Sequence, residues 1–526
     1  MLQRLRSRST KPGVEGSGPR IAIVGAGPGG LAAAMMLSAE GARVTLYEKG
    51  SAVGGRTKVV TLEGGYKFDI GPTFFLYPQV LREVFERCGL DMDGFIELAR
   101  VDPQYRLDFG DGTGISATPD LEAMAAEIAK INEKDAASLQ RFMEDNRAKL
   151  AAFGPILKSA FSGVSDVLKM EMLPALRWLR PTQSVNDDLA RYFEDERVRL
   201  TFSFQTKYLG MSPFRCPSLF TILSFLEYEY GVWHPIGGCG AVSEAMSEAA
   251  QTLGAEVRLD ADVTGIAFEG KRAVGVRIGD AVEPADAVIV GADFAGTVPQ
   301  LVPNGLRKRW TDAKIDKAKF SCSTVMLYLG IEGDYPHLDH HTIFLAEDYK
   351  ANIQEIEEGF GPPSDPSVYV QNPAKTDPSF RTEAGVSLYV LAPVGNLKGG
   401  ADWEASKAAF REQILDKLEA RGLTDLRARI RTERMMTPED WQDEYGLYAG
   451  ATFNLAHGLD QMLMLRPRNR FEDVDGVYLV GGGTHPGSGL PVIYEGARIT
   501  ADLLMKDLGL ARPVTQGGPM MLEAGE

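Results

Sequence analysis

The sequence has few of the residues that build metal centres or disulfide frameworks. Among 526 residues there are four cysteines and six histidines. The cysteines are Cys88, Cys216, Cys239 and Cys322. They form no C-x-x-C pair, and His340-His341 has no cysteine or carboxylate cluster at ligand spacing beside it. We therefore expect no metal site and no disulfides, as in a protein of a reducing compartment.

The chain also lacks an excess of basic charge and long apolar runs. Its net charge is −16, which argues against nucleic acid as a main partner. No run approaches the roughly 18 apolar residues of a transmembrane helix. Residues 1–19 carry several Lys and Arg side chains, so we predict a flexible basic tail there and a second flexible tail over 511–526.

A glycine-rich strand–turn–helix signature stands near the start of the chain. Residues 21–24 form an apolar run typical of a buried parallel strand, and residues 31–40 have the composition of a helix. Between them lies a G-x-G-x-x-G motif, made of Gly25, Gly27, Pro28, Gly29 and Gly30. Its glycines permit a tight turn, the approach of backbone to a pyrophosphate and close packing of helix on sheet. We predict a dinucleotide site here, with the phosphates at the helix N-terminus.

An acidic residue follows at the spacing expected of a ribose-binding carboxylate. Residues 44–47 read as a second strand, with Glu48 and Lys49 at its end. Glu48 lies 18 residues after Gly30, close to the roughly 20-residue spacing of such motifs. An acid at this point repels a 2′-phosphate, which favours FAD or NAD over NADP.

The trio Gly54-Gly55-Arg56 places more backbone amides and a cation near the phosphates. In this context it resembles the glutathione-reductase-like flavoproteins, which include the amine oxidases and carotene desaturases. The resemblance implies noncovalent FAD, with Gly55 and Arg56 among its ligands. It also implies that Val263, after a strand at 256–259, meets the adenine through its backbone.

A second signature lies late in the chain, after an apolar run at 476–480. Residues 481–491 read GGGTHPGSGLP, which resembles the C-terminal mark of the phytoene desaturase family, bacterial and fungal type. The resemblance implies that Gly482 and Gly483 approach the ribityl-phosphate side of FAD. It also implies that the helix starting near Pro491 and Val492 directs its positive end at the flavin.

The same family resemblance extends to two shorter segments. Residues 231–238 read GVWHPIGG, with Trp233 and His234 as candidate substrate contacts; alternatively, His234 is structural. Gln461, Arg466 and Pro467 match a Q-x-x-x-x-R-P segment, and the alternative for Arg466 is a surface salt bridge. The resemblance covers roughly residues 20–510 and is loose in the middle.

Catalytic residues are not evident from spacing. Glu144 and Arg147 resemble a polar segment of the desaturases, but at i,i+3 on a helix they also suit an exposed ion pair. His485 either shapes its loop and lines the flavin pocket or acts as a base.

The predicted fold class is α/β. A Rossmann-like FAD-binding domain of the glutathione-reductase type is interleaved with an α+β substrate domain and a helical insertion that could contact a membrane. The predicted FAD-binding parts are 20–78, 231–295 and 471–510. The helical and substrate insertion is 79–230, read as mostly helical from 79 to 161, and the substrate domain is 296–470.

The family resemblance implies an FAD-dependent oxidoreductase that inserts double bonds into a carotenoid or related long polyisoprenoid. An allylic hydride passes to the flavin and a proton leaves the neighbouring carbon. Carotenoid isomerases, saturases and terminal-methyl oxidases share these motifs and stay open as alternatives. A non-catalytic prenyl-lipid binder, like the Rab GDP-dissociation inhibitors, is a further alternative that the intact glycine motif disfavours.

The implied partners follow from this chemistry. The substrate is a long apolar polyene, and since no second G-x-G-x-x-G is present, the implied electron acceptor is a quinone or oxygen. Because the substrate partitions into lipid, we expect peripheral association with the inner, cytoplasmic face of the cell membrane. The number of subunits, the substrate chain length (C30 or C40) and the number of desaturations stay open.

Overall fold

The computed structural model describes residues 18–510, apart from 164–165, 167–169 and 171–172. The predicted tail at 511–526, and that at 1–19 except for its last two residues, lie outside the described residues. The strands are Arg20–Val24, Arg43–Tyr47, Val59–Thr61, Lys67–Asp69, Phe75–Leu76, Leu98–Val101, Tyr105–Asp108, Gly114–Ala117, Val232–Pro235, Glu256–Arg258, Val263–Glu269, Arg272–Ile278, Ala281–Pro284, Ala287–Val290, Ser323–Glu332, His341–Phe344, Val368–Gln371, Gly385–Val394, Ile430–Met436 and Val477–Leu479. The α-helices are Pro28–Ala39, Gln79–Arg87, Leu121–Ala129, Glu133–Leu157, Leu173–Leu176, Val185–Leu189, Glu196–Thr201, Ile222–Tyr230, Cys239–Thr252, Phe294–Leu301, Asp312–Lys317, Tyr349–Glu358, Trp403–Ala420, Leu426–Arg429, Pro438–Tyr445 and Leu490–Asp507.

Five parallel strands form the sheet at the centre of the dinucleotide-binding half. Their spatial order is Glu256–Arg258, Arg43–Tyr47, Arg20–Val24, Ala287–Val290 and Val477–Leu479. Ile21 lies opposite both Val44 and Ala287. Residues 21–24, 287–290 and 477–479 are buried and mostly apolar because both faces of the sheet are covered: helices pack on one face, and the strands Val263–Glu269 and Arg272–Ile278 with the helix Phe294–Leu301 pack on the other. This sheet therefore draws strands from all three predicted FAD-binding parts of the chain.

A seven-stranded sheet forms the second layered unit. Its order is Ile430–Met436, Ser323–Glu332, Gly385–Val394, Val368–Gln371, His341–Phe344, Tyr105–Asp108 and Gly114–Ala117. Alternation along Ser323–Glu332 sends Val325 and Leu327 into a core with the helix Trp403–Ala420, whereas Met326 and Tyr328 face the opposite side. That opposite face is turned toward the dinucleotide-binding half.

The expectation that residues 79–161 are mostly helical is wrong for 98–117. These residues form three strands, of which Tyr105–Asp108 pairs in parallel with His341–Phe344. Tyr105 and Leu107 are buried while Arg106 is exposed, the alternation of a half-buried strand. The partner strand of Tyr105–Asp108 lies more than 200 residues further along the chain, so local periodicity does not reveal this pairing.

The insertion between these strands and Val232–Pro235 is helical, as predicted. Its core contains the rings of Phe142, Phe193 and Phe202, which pack within 5.6 Å of one another, centroid to centroid. A buried ion pair joins Lys149 to Asp188 at 2.9 Å. In the described part of the chain, no helix is both long enough and apolar enough to cross a membrane. The predicted α/β class, with a parallel sheet interleaved with a second unit and a helical insertion, is confirmed.

Candidate active site

A single continuous cavity of about 2400 Å³ connects the two units. One end lies at the carboxyl ends of the parallel strands and is lined by the glycine-rich turns. The middle is bounded by the seven-stranded sheet, and the other end extends among the helices of the insertion. A cofactor and a substrate can therefore meet in one continuous space.

The first glycine motif is built for close approach of backbone. Gly25 has φ +98°, and a Cβ placed on Gly30 would lie 2.1 Å from the Gly25 carbonyl oxygen. A Cβ on Gly27 would meet no atom within 4 Å, because this residue faces the cavity. Gly30 thus serves the packing of helix on strand, while Gly27 leaves room for a ligand.

Two helix N-termini open onto the cavity without a capping side chain. The helices Pro28–Ala39 and Leu490–Asp507 start at Gly27 and Gly489, and neither has a side-chain cap. By contrast, the Asp69 carboxylate accepts a 2.7 Å hydrogen bond from the Cys239 N–H at the start of Cys239–Thr252. The free amides and positive ends of the two uncapped helices suit anionic or electron-rich groups.

Glu48 is fixed against the first turn. Its carboxylate accepts hydrogen bonds from the Ala26 N–H at 2.8 Å and the Gly50 N–H at 2.9 Å. Glu48, Lys49 and Val263 all line the same end of the cavity as Gly27. The structure thus brings the predicted ribose, phosphate and adenine contacts together.

Arg56 and Gly55 line the next part of the cavity. The Arg56 guanidinium donates to the Thr452 carbonyl. Burial lowers the pKa of Arg56, and the nearby Asp293 carboxylate opposes that shift. Asp293 also lines the cavity and accepts from the Gly296 N–H at 2.8 Å and from the Asn454 amide. Sequence reasoning missed Asp293 and Asn454, since neither belongs to a glycine motif.

The second glycine-rich turn meets the cavity only in part. Gly482, Pro491 and Val492 line it, but Gly483 does not. A Cβ on Gly483 would lie 2.5 Å from Asn454 Oδ1 and 2.7 Å from Phe294 Cβ. Packing behind the turn therefore requires this glycine, and its approach to the cofactor stays a prediction.

Arg466 supports this turn from behind. It is fully buried and donates hydrogen bonds to the carbonyls of Gly482 at 2.6 Å, Leu455 at 3.0 Å and Ala456 at 3.2 Å. The alternative of a surface salt bridge is wrong. Burial lowers the pKa of Arg466 to about 9.

His485 lies at the cavity between the second turn and the helical insertion. Its Nε2 donates a 2.9 Å hydrogen bond to the Ser159 carbonyl, and its ring contacts Phe161. Burial lowers the pKa of His485 to about 4, so the ring is neutral at pH 7. The other nitrogen, Nδ1, is buried without a hydrogen-bond partner. This geometry supports the structural role over that of a catalytic base.

An aromatic wall, formed by Tyr369, Tyr389 and His341, bounds the middle of the cavity. The Tyr389 hydroxyl donates to the Gly71 carbonyl at 2.7 Å. The Tyr369 hydroxyl lies 2.7 Å from both Thr73 Oγ1 and His341 Nδ1. Burial lowers the pKa of His341 to about 3, so the wall is uncharged at neutral pH. No sequence motif marks these residues.

Trp233 and His234 do not line the cavity. The His234 ring is fully buried, with Nε2 at 3.3 Å from Asp377 Oδ2. The Trp233 indole N–H donates to the Tyr230 carbonyl at 2.8 Å. This geometry supports the structural role of His234, and of the strand Val232–Pro235 only Val232 lines the cavity. Substrate contact by Trp233 and His234 stays a prediction that the cavity lining does not support.

Glu144 and Arg147 have different surroundings in the structure. Glu144 is exposed, lies outside the cavity lining and accepts from the Gln140 amide at 2.9 Å. Arg147 lines the cavity and makes a bidentate pair with Glu229 at 2.7 and 2.8 Å. The predicted i,i+3 ion pair is absent, and of the two only Arg147 is placed to affect a ligand.

The far end of the cavity is an apolar arm within the insertion. Its lining includes Leu150, Phe153, Ile156, Leu223 and Leu226, together with Leu176 and Leu179. Leu176 and Leu179 are also 53% and 39% exposed. The arm therefore offers a long hydrocarbon a path from the protein surface to the aromatic wall.

The glycine-rich end fits a dinucleotide. It combines the Glu48 carboxylate, two uncapped helix N-termini, the Arg56 cation and a glycine whose missing side chain leaves open space. Among the described residues, no cluster of His, Cys, Asp or Glu could hold a metal ion.

Comparison with known proteins agrees with this arrangement. A family model described as flavin containing amine oxidoreductase matches residues 28–505. The 4,4′-diapophytoene desaturase (4,4′-diapolycopene-forming) of Methylomonas sp is 43% identical over 486 residues, which cover 92% of this chain and 94% of that protein. The all-trans-zeta-carotene desaturase of Myxococcus xanthus is 40% identical, with 94% of both chains covered.

Solved structures share the fold at low identity. An oxidoreductase from Methanosarcina mazei aligns with a TM-score of 0.62 and 16% identity, over 91% of this chain and 99% of that one. A double mutant of putrescine oxidase aligns with a TM-score of 0.61 and 17% identity, over 93% and 99% of the two chains.

Proposed function

The chain belongs to the flavin containing amine oxidoreductase family, and on that basis we propose that it is an FAD-dependent desaturase of a carotenoid or related long polyisoprenoid. One observation carries the proposal. A dinucleotide-shaped end and a long apolar arm belong to the same cavity and meet at an uncharged aromatic wall. An amine substrate would gain nothing from such an arm, whereas a hydrocarbon chain buries its whole length there.

The names of the relatives support the substrate class. They are desaturases of 4,4′-diapophytoene, zeta-carotene and phytoene, at 43%, 40% and 36% identity. The substrate of this chain is accordingly a polyene precursor built from isoprene units. The experiment below tests C30 and C40 precursors separately.

Different residues along the cavity bind the cofactor and the substrate. Bound FAD supplies a hydride acceptor. Gly27, Glu48 and the two helix N-termini would hold the dinucleotide, and Arg56 lines the same cavity beside Gly55. The aromatic wall gives the polyene an uncharged surface to pack on, which would exclude water from the reacting carbons and help to orient them.

Membrane contact is part of the proposal, and exposed apolar residues at the open end of the arm support it. Met170, Leu173, Leu176 and Leu179 are 79%, 48%, 53% and 39% exposed. Arg177 lies among them with its guanidinium over the Trp178 ring. Apolar side chains with a cation and a tryptophan suit a lipid headgroup boundary. We propose that this surface contacts the inner, cytoplasmic face of the cell membrane, because the proposed apolar substrate partitions into lipid.

The electron acceptor is proposed to be a quinone or oxygen. The sequence contains one G-x-G-x-x-G motif, which supports a single dinucleotide site and an acceptor that does not need its own. Anaerobic turnover with and without added quinone distinguishes the two acceptors.

Expression in bacteria that accumulate colourless phytoene, and in others that accumulate the C30 counterpart, tests the proposal. We expect new banded visible absorption in extracts of one host, with band positions that count the conjugated bonds. A flavin-loaded protein that colours neither extract would contradict the desaturase function. Conversion of an already coloured polyene without a gain in double bonds would indicate an isomerase.

A further inference from the structure

Glu227 is a fully buried carboxyl with no cation beside it. It lies on the helix Ile222–Tyr230 and is 0% exposed. Its Oε2 accepts a 2.8 Å hydrogen bond from the Gln205 side-chain amide, and the hydroxyls of Tyr105 and Tyr208 also interact with the carboxyl. No charged group of the described residues faces it from these elements. A buried carboxyl without a counter-charge is costly, and such groups concentrate at functional sites.

Tyrosine hydroxyls connect this carboxyl to the cavity. Tyr105 and Tyr208 both line the cavity, whereas Glu227 and Tyr228 do not. The Tyr105 hydroxyl lies 2.7 Å from the Tyr228 hydroxyl and accepts from the Gln205 amide at 3.1 Å. Tyr105 and Tyr208 therefore connect the network to the cavity, together with Gln104, which also lines the cavity and donates to the Glu227 backbone carbonyl at 2.6 Å.

Tyr208 stands where the cofactor end of the cavity joins the apolar arm. The centroid of its ring lies 5.2 Å from that of Phe74. Phe74 follows Thr73, which lines the cavity and contacts Tyr369 of the aromatic wall. On the opposite side, Leu223 and Leu226 come from the helix that carries Glu227, and they line the arm. A polyene that extends from the arm to the wall must pass Tyr208.

We propose that Tyr208 accepts the proton released from the polyene in each desaturation, with Glu227 as its positioning residue and final proton acceptor. This inference rests on the proposed function, whose hydride acceptor supplies the oxidation. As the hydride leaves one carbon, the C–H bond of the next carbon breaks and its electron pair becomes the new π bond. That proton passes to the Tyr208 oxygen while the Tyr208 proton passes to the Glu227 carboxylate. The proton returns to water by the same route when product leaves.

The balance of donors and burial suits this role. The Gln205 amide and the Tyr105 and Tyr208 hydroxyls can each donate to the Glu227 carboxyl, which favours its ionised form. Burial works in the other direction and raises the pKa of Glu227 to about 7. The carboxyl can therefore change its protonation state near neutral pH, as a proton acceptor must.

The test compares Glu227→Gln and Tyr208→Phe with Tyr228→Phe, whose hydroxyl belongs to the network but does not line the cavity. Turnover of polyene in lipid vesicles is measured against pH for each flavin-loaded protein. We expect the wild-type kcat to rise with pH through neutrality and then level. Glu227→Gln and Tyr208→Phe should each lower kcat by about 100-fold, Glu227→Gln should abolish the pH dependence, and Tyr228→Phe should keep the wild-type profile.

A second readout does not depend on turnover. Infrared difference spectra are recorded on Asp69→Asn protein, which removes the other buried carboxyl with a raised pKa. They should show a protonated-carboxyl stretch that disappears as the pH rises through neutrality, and that is missing when Glu227→Gln is added. A Glu227→Gln variant with the rate and pH profile of the wild type would overturn the inference, as would the absence of the titrating band. A wild-type protein that forms no product would instead overturn the proposed function, and the role of Tyr208 with it.

Discussion

Arg466 donates a 2.6 Å hydrogen bond to the carbonyl oxygen of Gly482, and this bond joins a buried cation to the turn that lines the cofactor end of the cavity. The same guanidinium donates to the carbonyls of Leu455 and Ala456. Among the described residues, no carboxylate pairs with it. The arginine thus fixes the second glycine-rich turn through carbonyl groups alone, and the turn depends on it.

Replacement of Arg466 by Met should loosen that turn. Three carbonyl groups lose a charged donor, which should lower the free energy of unfolding by about 2–5 kcal/mol and reduce the flavin bound per protein. Chemical unfolding and the flavin absorbance of purified protein measure the two effects. Arg470→Met is the matched control, since Arg470 pairs with Asp507 at the surface, and it should cost less than about 1 kcal/mol. Equal effects of both variants would contradict the account.

Two glycines of one motif should respond differently to the same change. Gly30→Ala places a Cβ 2.1 Å from the Gly25 carbonyl oxygen, so it should destabilise the flavin-free protein by about 1–3 kcal/mol or more. Gly27→Ala meets no protein atom within 4 Å, so the flavin-free protein should keep its stability. It should nevertheless weaken FAD binding by about tenfold or more, because the added methyl group occupies the space that Gly27 leaves for the ligand. Flavin titration and thermal unfolding separate the two outcomes, and full FAD affinity in Gly27→Ala would refute the assignment.

The two glycine-rich turns could be predicted from the sequence because each is a local motif. The first turn, the ribose carboxylate Glu48 and the second turn at Gly482 each lie within a few residues of a recognisable strand and helix. Tyr369 and Tyr208 could not be found this way, because they reach the cavity only through the pairing of strands and helices distant in the chain. His234 is the converse case. It lies in a segment that resembles the family, yet its ring faces Asp377 in the interior and does not line the cavity.

The Asp69 carboxyl should make stability depend on pH. Burial raises the pKa of Asp69 from its ordinary 3.8 to about 8. Because the folded state holds this proton more tightly than the unfolded chain, the contribution of Asp69 is full at low pH and is lost as the pH rises toward and through 8. Asp69→Asn keeps an acceptor for the Cys239 N–H and should flatten that decline. Chemical unfolding at about pH 6 and about pH 9 measures it, with exposed Asp280→Asn as a control that should leave the slope unchanged. A wild-type slope in Asp69→Asn would contradict the assignment.

The exposed end of the apolar arm should govern membrane binding. The double variant Leu176→Asp and Leu179→Asp should lower the fraction bound to lipid vesicles by at least about tenfold, since two apolar side chains lose their burial in lipid. Flavin content should not change, because these residues are remote from the glycine-rich turns. Phe360→Asp is the control: Phe360 is 76% exposed but does not line the cavity. If Phe360→Asp reduced vesicle binding as much, the membrane surface would lie elsewhere.

The central claim is that one cavity brings a long polyene to bound flavin. The most direct measurement is a single turnover without oxygen, in which purified flavin-loaded protein is mixed with vesicles that contain phytoene or its C30 counterpart. We expect the flavin absorption to bleach at the rate at which conjugated polyene bands appear, with one new double bond for each flavin reduced. Polyene bands that appear without bleaching of the flavin, or a flavin that stays oxidised with both substrates, would contradict the account.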